Sequence, residues 1–489
     1  MNNNKVFFVN RSEIEGRLDP YFYLPEFRQQ IELFKQLNFK QLGDFIENWD
    51  RGDGPRDGFY TDDTSQIYFL RVQNLKENSI DLTDVKFIYR HIHETKLKRS
   101  QVTAGDIVFA ISGTKENLGT VSIVPNHIKE ANLNSALVRL GLNAEINKEF
   151  FCLLFSLDFI RQQIDFIGKG AAQNNLNNKE ISSIYIPIFS LEKQNEIVQF
   201  YNEKRKEYKN KLTQSQTLLN SISDYLLEKL GITVPKVDNS LSSRIFFVNA
   251  NDIRGGRLDP FNQIGYYREF AEKLLQNKFG YKPLKDFIIH DCSGNWGNDI
   301  VDNFDENIFD KYLIVRATEF DNQDNLQLNA DKIKFRLLDK QKLSNLRIQE
   351  NDILVEKSGG SENQPVGRVA ILDTHILEKY DGNIAFSNFI HKISVDKNMI
   401  DPHFLFYYLK MLHHFKYTER MQSQTNGIRN LILKDFFDIP ILNVPPETQK
   451  TIVAHIKQIR KQAKNLEQQA KDLLQQTQQE IEKMILGND

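Results

Sequence analysis

Several groupings of side chains in the 489-residue sequence have the types and spacing to suggest chemistry. Phe166-Ile167-Gly168-Lys169-Gly170 matches the Phe-x-Gly-x-Gly loop with which amino-methyltransferases hold S-adenosylmethionine, glycines letting the backbone approach the cofactor. Such a loop should follow a buried parallel strand, whereas Phe150 to Ile167 spaces its apolar residues for a helix. Asn443-Val444-Pro445-Pro446-Glu447 approaches an Asn-Pro-Pro-Tyr motif, but it carries an insertion and lacks the aromatic residue that stacks on a flipped base. Asp352 with Glu356-Lys357 could serve a metal and a water; carboxylates beside a strand are ordinarily solvated, and the matching stretch Asp106 to Ile111 has no second one. His91 and His93 alternate onto one face of an expected strand, two imidazoles without a third ligand. Cys152 and Cys292 lie too far apart for a Cys-x-x-Cys pair. These readings predict no catalytic residue, no bound cofactor and no metal.

Binding chemistry is better represented. Lys86, Arg90, Lys96, Lys98 and Arg99 form a stretch with one acid, Glu94, and Lys332, Lys334, Arg336, Lys340 and Lys342, followed by Arg347, form another against Asp339 alone. Lysine and arginine neutralise phosphates and supply most sequence-independent affinity for nucleic acid, so two such stretches at matching places suit a grip on two duplex segments. The bland alternative is a solvated face. Base edges are read by forked or amide side chains, Arg for guanine and Asn or Gln for adenine. Gln173, Asn174 and Asn175 in one half, and Asn426, Arg429 and Asn430 in the other, stand in matching expected loops, while Arg71 and Arg316 end matching expected strands. Different side chains at matching places predict two different half-sites.

The matching places exist because the chain is written twice. Val6-Phe7-Phe8-Val9-Asn10 and Gly16-Arg17-Leu18-Asp19-Pro20 recur as Ile245-Phe246-Phe247-Val248-Asn249 and Gly256-Arg257-Leu258-Asp259-Pro260. Gly105-Asp106-Ile107-Val108 with Ser112-Gly113 recurs as Asn351-Asp352-Ile353-Leu354 with Ser358-Gly359. A period of about half the chain is a duplicated domain, too long for a solenoid repeat. Short β-rich runs such as 67–72 and 106–111, punctuated by turn residues, make each half a mixed α and β segment. Each half then ends in a long helical pattern. Ile452, Ile456, Ile459, Ala463, Leu466, Ala470, Leu473 and Thr477 alternate spacings of four and three, a heptad seam. Ile197, Tyr201, Tyr208, Leu212, Leu219, Ile222 and Leu226 keep to one face of the first-half helix, which Gly231 and Pro235 close. Rods of about 40 residues reach about 60 Å, longer than a compact domain is wide.

Composition bounds the rest. Hydrophobic residues at 40% and charged residues at 26% allow packed cores. Sixty-three basic against 65 acidic residues leave a net charge of −2, so any nucleic-acid role must come from local patches. No apolar run reaches the roughly 18 residues of a membrane span and the opening residues lack the order of a signal peptide, which predicts a cytoplasmic protein.

The ends of both halves resemble a known family. Gly170-Ala171-Ala172-Gln173-Asn174-Asn175-Leu176, then Ile186-Pro187-Ile188, then Leu191-Glu192-Lys193-Gln194 with Ile197-Val198 is similar to the end of a target-recognition domain in the specificity subunits of type I restriction–modification enzymes. Thr425-Asn426-Gly427-Ile428-Arg429-Asn430-Leu431, Ile439-Pro440-Ile441 and Pro446-Glu447-Thr448-Gln449 repeat the order. The first half departs from the family pattern at Phe189-Ser190-Leu191, where Pro-Leu or Pro-Pro is usual. The resemblance covers nearly the whole chain and implies an α+β protein: two mixed α/β target-recognition domains separated by two long antiparallel coiled-coil helices in an internal pseudo-two-fold duplication. On that plan residues 1–190 and 245–445 are the recognition domains, 191–232 and 446–489 the helices, and 233–244 a linker. It further implies a non-catalytic reader of a bipartite, asymmetric double-stranded DNA target. Its partners would be two copies of a methyltransferase subunit and a motor-nuclease subunit, with S-adenosylmethionine, ATP and Mg2+ only on those partners. The alternatives are a self-contained methyltransferase or nuclease with its own recognition domains, and a coiled-coil scaffold that binds no DNA.

Overall fold

The computed structural model describes residues 8–487 apart from 12–13, 15–22, 55–57, 77, 169–173, 239, 242, 244, 246, 249–262, 321–325, 327, 329–333, 361–363, 373, 381 and 426–427. The repeated peptides Gly16–Pro20 and Gly256–Pro260 lie outside the described residues. Contacts divide the chain into unit 1, residues 1–211 with 468–489, and unit 2, residues 212–467. Each long helix thus gives one half to each unit.

Unit 1 is built on the strands β1 (Ile46–Arg51), β2 (Ile67–Leu70), β3 (Lys86–Ile88), β4 (Ile107–Ala110), β5 (Ser112–Gly113), β6 (Val121–Ile123), β7 (Ala131–Leu133), β8 (Leu137–Leu142) and β9 (Asn174–Asn175). Its central sheet is antiparallel in the order β1-β8-β4-β6, and β4 is the wholly buried run Ile-Val-Phe-Ala at its middle. A second sheet places β3 beside β2 and β2 parallel to β7. Its helices include α1 (Arg90–Thr95), α2 (Lys148–Leu154) and α3 (Asp158–Gly168). The apolar residues from Phe150 to Ile167 lie on two helices, apart from Phe155 and Leu157 in the turn between them, and Phe150, Phe151, Ile160 and Ile164 share a core with the sheet residues Phe109 and Val138.

Unit 2 repeats this with β10 (Ile288–Ser293), β11 (Phe309–Val315), β12 (Phe335–Asp339), β13 (Ile353–Glu356), β14 (Ser358–Gly360), β15 (Val369–Ile371), β16 (Ile384–Phe386), β17 (Ile390–Val395), β18 (Gln422–Thr425) and β19 (Ile428–Leu431). The sheet order β10-β17-β13-β15 matches β1-β8-β4-β6 strand for strand, and β12-β11-β16 answers β3-β2-β7 with the same parallel pair. Close approach fixes two glycines at matching places. A Cβ on Gly52 would stand 2.0 Å from the Asn134 carbonyl oxygen, and one on Gly294 2.2 Å from that of Ser387. Only glycine fits where these backbones meet.

The two long helices are α4 (Leu191–Leu230) and α7 (Pro446–Leu486), and Gly231 takes a φ of +63° just past the first. The shorter α5 (Pro402–His414) and α6 (Leu433–Phe437) precede α7. One buried glutamine per repeat clamps a long helix to its domain. Gln194 accepts from the Asn147 N–H at 2.8 Å and donates to the Phe189 carbonyl at 2.9 Å; Gln449 accepts from the Asp401 N–H at 2.8 Å and donates to the Val444 carbonyl at 2.8 Å. Asn147 and Asp401 are in turn the N-caps of α2 and α5, so each clamp engages the start of two helices.

Within unit 1 the first half of α4 meets the last part of α7: Ile197, Tyr201, Ile481 and Ile485 share one core, and Lys211 Nζ bonds Gln469 Oε1 at 3.2 Å. Within unit 2 Ile222 and Leu226 share a core with Ile452, Ile456 and Ile459, Ser215 Oγ bonds Glu467 Oε1 at 3.0 Å, and the Tyr225 and His455 rings lie 4.4 Å apart. Ala463, Ala470 and Thr477 are buried as the heptad pattern expects, while Tyr208, Leu212, Leu219, Leu466 and Leu473 are half-buried.

Candidate nucleic-acid interface

In unit 1 the turn from β4 into β5 brings Ser112-Gly113 against Asn175-Asn174 as a short antiparallel pair. In unit 2 the turn from β13 into β14 brings Ser358 and Gly360 against Asn430 and Arg429, with β18 as an added strand on the far side. Asn175, Arg429 and Asn430 therefore lie on short strands, where loops were expected. Asparagine disfavours strands, and the pairing exists because the Ser-Gly edge offers hydrogen-bond partners. Ser358 Oγ donates to Asn430 Oδ1 at 2.6 Å, which orients that amide. Gln173 and Asn426 lie outside the described residues, and of Asn174 only the backbone is described.

The sequence matches, twice, the family described as the type I restriction modification DNA specificity domain, over residues 35–222 and 296–476. The chain belongs to this family. Among curated proteins, it is similar to the provisionally named type I restriction enzyme MjaX specificity subunit of Methanocaldococcus jannaschii, with 24% identity over 188 residues that cover 35% of this chain and 44% of that one. It is also similar to the type I restriction enzyme EcoBI specificity subunit of Escherichia coli, with 28% identity over 148 residues covering 30% of this chain and 28% of that one. The chain thus spans less than half the length of the curated relatives it matches. A crystal structure of the HsdS subunit from Thermoanaerobacter tengcongensis aligns over 92% of this chain and 97% of that chain, at 16% identity and a TM-score of 0.36.

In this member of the specificity-domain family the basic stretch of unit 1 lies on the surface. Lys86 is on β3, Arg90 opens α1, and Lys96, Lys98 and Arg99 follow it, all exposed. Arg90 pairs with Glu130 at 2.9 Å. In unit 2 Lys334, Lys340 and Lys342 are exposed, and Lys332 is outside the described residues. Arg336 departs from the expected phosphate role. Its side chain is 10% exposed, stacks 4.9 Å from the Trp296 ring centre, donates to the Trp296 and Gly297 carbonyls and pairs with Asp299. It lies in a run of three buried residues on β12, with Leu337 and Leu338. Arg71 and Arg316 stand one residue past the ends of β2 and β11, and each is engaged locally: Arg71 with Asp84 at 3.3 Å, Arg316 with Glu319 at 2.5 Å.

Other expectations also change. His91 and His93 sit on helix α1, not a strand; His93 is buried and its Nδ1 lies 2.5 Å from Asn132 Oδ1. Asp352 and Glu356 are buried rather than solvated. Asp352 pairs with Lys392 at 3.1 Å, and Glu356 with Arg368 at 2.7 Å. Their cationic partners arrive from neighbouring strands and loops, which no local pattern announces. Phe166 stacks on Phe27 at 4.9 Å within the core, and Pro446 is the first residue of α7, so both cofactor-like motifs have structural roles. Burial pushes the Cys152 thiol up to about 12, which keeps it protonated and inert. Among the described residues no group of three or more His, Cys, Asp or Glu could hold a metal, and no helix is long and apolar enough to cross a membrane. Sequence reasoning weighed Lys357 only as part of a nuclease and did not single out Ser293, whose hydroxyl its Nζ meets at 2.8 Å.

Proposed function

We propose that this protein is the DNA-recognition subunit of a type I restriction–modification complex. It performs no chemistry itself, reads a split and asymmetric duplex sequence, one half-site per unit, and directs a methyltransferase subunit in two copies and a motor-nuclease subunit to it in the cytoplasm. S-adenosylmethionine, ATP and Mg2+ belong to those partners. The observation that carries the reading is that the family's domain recurs in both halves on one repeated framework, with different side chains at the matching tips. Residues 1–190 and 245–445 are the two readers. Asn174, Asn175, Gln173 and Arg71, and Asn426, Arg429, Asn430 and Arg316, are the base-reading candidates; the exposed lysines and arginines near α1 and β12 contact phosphates.

Residues 191–232 and 446–489 form the spacer, joined to the second reader through 233–244. In unit 2 the partners on α7 fall in number as those on α4 rise, Ser215 with Glu467 and Tyr225 with His455, and in unit 1 Ile197 and Tyr201 share a core with Ile481 and Ile485 while Lys211 meets Gln469, which supports helices that run antiparallel within each unit. Ile197, Tyr201, Ile222, Leu226, Ile452, Ile456 and Ile459 are buried members of that seam, with Ala463, Ala470 and Thr477. A net charge of −2 gives the chain little unaided attraction for DNA. The test is duplex binding by the purified chain with and without its modification subunits. Weak binding alone that becomes specific in the complex supports the reading; tight, salt-sensitive, sequence-specific binding alone, or none even in the complex, overturns it.

A further inference from the structure

Where unit 1 carries Ile111 after β4, unit 2 carries Lys357 after β13. The Ile111 N–H donates to the Ala136 carbonyl, and the Lys357 N–H to the Phe389 carbonyl, both at 2.9 Å, so the two positions correspond. A chain of three contacts ends on the lysine. Asp291 Oδ2 lies 2.9 Å from His391 Nε2, His391 Nδ1 lies 3.1 Å from Ser293 Oγ, and Lys357 Nζ donates to Ser293 Oγ at 2.8 Å. The order fixes the protons. An ionised Asp291 only accepts, so His391 Nε2 carries the hydrogen; Nδ1 of the neutral ring then accepts from Ser293, whose lone pair is left for the ammonium. Burial lowers the His391 pKa, more than the bond and charge of Asp291 raise it, and this keeps the ring neutral at neutral pH. At the matching registers unit 1 has Val138 paired with Arg51 where unit 2 has His391 paired with Ser293.

The ammonium stands at the root of the hairpin that carries the base-reading candidates. The Lys357 carbonyl accepts from the Leu431 N–H at 2.8 Å, and the next residue, Ser358, bonds Asn430. Among the described residues no carboxylate pairs with Lys357, and burial alone shifts its pKa, downward. One of its three N–H groups is held by Ser293, leaving two donors on a cation with no counter-charge among the described residues. Asp291, His391 and Ser293 also have the composition of a hydrolytic triad. That reading fails on the residue after the serine: the Gly294 N–H, which an oxyanion hole would need, donates to the Ile390 carbonyl at 3.1 Å.

We propose that Lys357 is a base-reading residue of unit 2, donating its two remaining N–H groups to the acceptor edge of a guanine, and that Ser293, His391 and Asp291 are its positioning residues. The inference rests on the reading of the chain as a DNA-recognition subunit. Unit 1, with Ile111 at that place, has no equivalent donor there.

The experiment is genome-wide mapping of methylation by the full complex carrying Lys357→Met. Discrimination at one position should fall by about tenfold or more, in the half-site that Arg429→Ala also alters, with the other half-site intact. An unchanged pattern overturns the proposal, as does an even loss over all sequences with a shallower salt dependence, which marks a phosphate contact. Should the methionine variant not assemble, Lys357→Gln must shift preference at that position from guanine toward adenine, and unchanged preference overturns the proposal equally. The groups facing His391 are Asp291 from β10, Lys357 after β13 and the Phe437 ring from α6. Protonating Nδ1 removes the acceptor that orients Ser293, so discrimination at that position should decline as pH falls in the wild-type complex. In Ser293→Ala it should be weaker throughout and insensitive to pH; a merely structural serine would lower stability and leave the pH profile intact. If the wild-type complex methylates no split sequence, the DNA-recognition reading fails first; if it does and Lys357→Met changes nothing, only the lysine's role fails.

Discussion

Units 1 and 2 share their framework and differ at their tips. Gly52 and Gly294, the clamps of Gln194 and Gln449, the caps of Asn147 and Asp401, and the parallel strand pair of each second sheet recur at matching places. Even one ion pair recurs, Asp106 with Arg139 at 3.8 Å and Asp352 with Lys392 at 3.1 Å. The tips agree less: Asn175 and Asn430 match opposite Ser112 and Ser358, but Asn174 stands where Arg429 does, and Ile111, Val138 and Arg51 where Lys357, His391 and Ser293 do. Backbone approach and helix clamping tolerate few residue types, whereas an exposed edge tolerates many. A duplication under those constraints keeps its scaffold and frees its readers to diverge.

The recurring ion pair is where the comparison breaks most sharply under mutation. Asp352 and Lys392 are 5% and 4% exposed, so Asp352→Ala leaves a buried ammonium and should cost about 3–5 kcal/mol in denaturant unfolding. Asp106 and Arg139 are 26% and 37% exposed, and Asp106→Ala should cost under about 1 kcal/mol. Equal costs would mean that the two scaffolds bear load alike. A somewhat smaller asymmetry is set by pH. Burial lowers His413 of unit 2 from 6.5 to about 4, its Nε2 lying against the Pro365 carbonyl. The unfolded chain takes up that proton first as pH falls, so the stabilisation is complete above pH 6.5 and is lost on the way down to pH 4, at most about 3 kcal/mol. His413→Gln should flatten that part of the stability profile, measured by unfolding midpoints across pH. The smallest effect is on binding. Lys98→Glu with Arg99→Glu in unit 1 should lower the salt slope of DNA binding by about two without changing sequence choice, and Lys334→Glu in unit 2 by about one. Arg336→Glu is no equivalent probe, because that side chain is seated on Trp296 and should be lost to folding first.

Much of this plan was legible in local patterns. The ends of α4 and α7 follow from heptad spacing, Gly231 and the Pro446 start, all written within a few residues. Both halves carry the same motifs in the same order, which made the duplication plain. What was illegible depends on partners far along the chain. Arg336, Asp352 and Glu356 read as surface charges because Asp299, Lys392 and Arg368 meet them only once the sheets form. His91 and His93 read as a strand because two residues at a spacing of two cannot tell a six-residue helix from one. The clamps of Gln194 and Gln449 were visible as motif and invisible as mechanism, since their partners lie 47 and 48 residues away.

The central claim is that each unit reads its own half-site and that α4 and α7 set the distance between them. The most direct measurement is methylome sequencing of a strain whose protein carries about seven extra residues, roughly 10 Å of helix, at matched places in both long helices. The account predicts both half-sites unchanged and an unread spacer longer by about three base pairs. Altered half-sites with an unchanged spacer would contradict it.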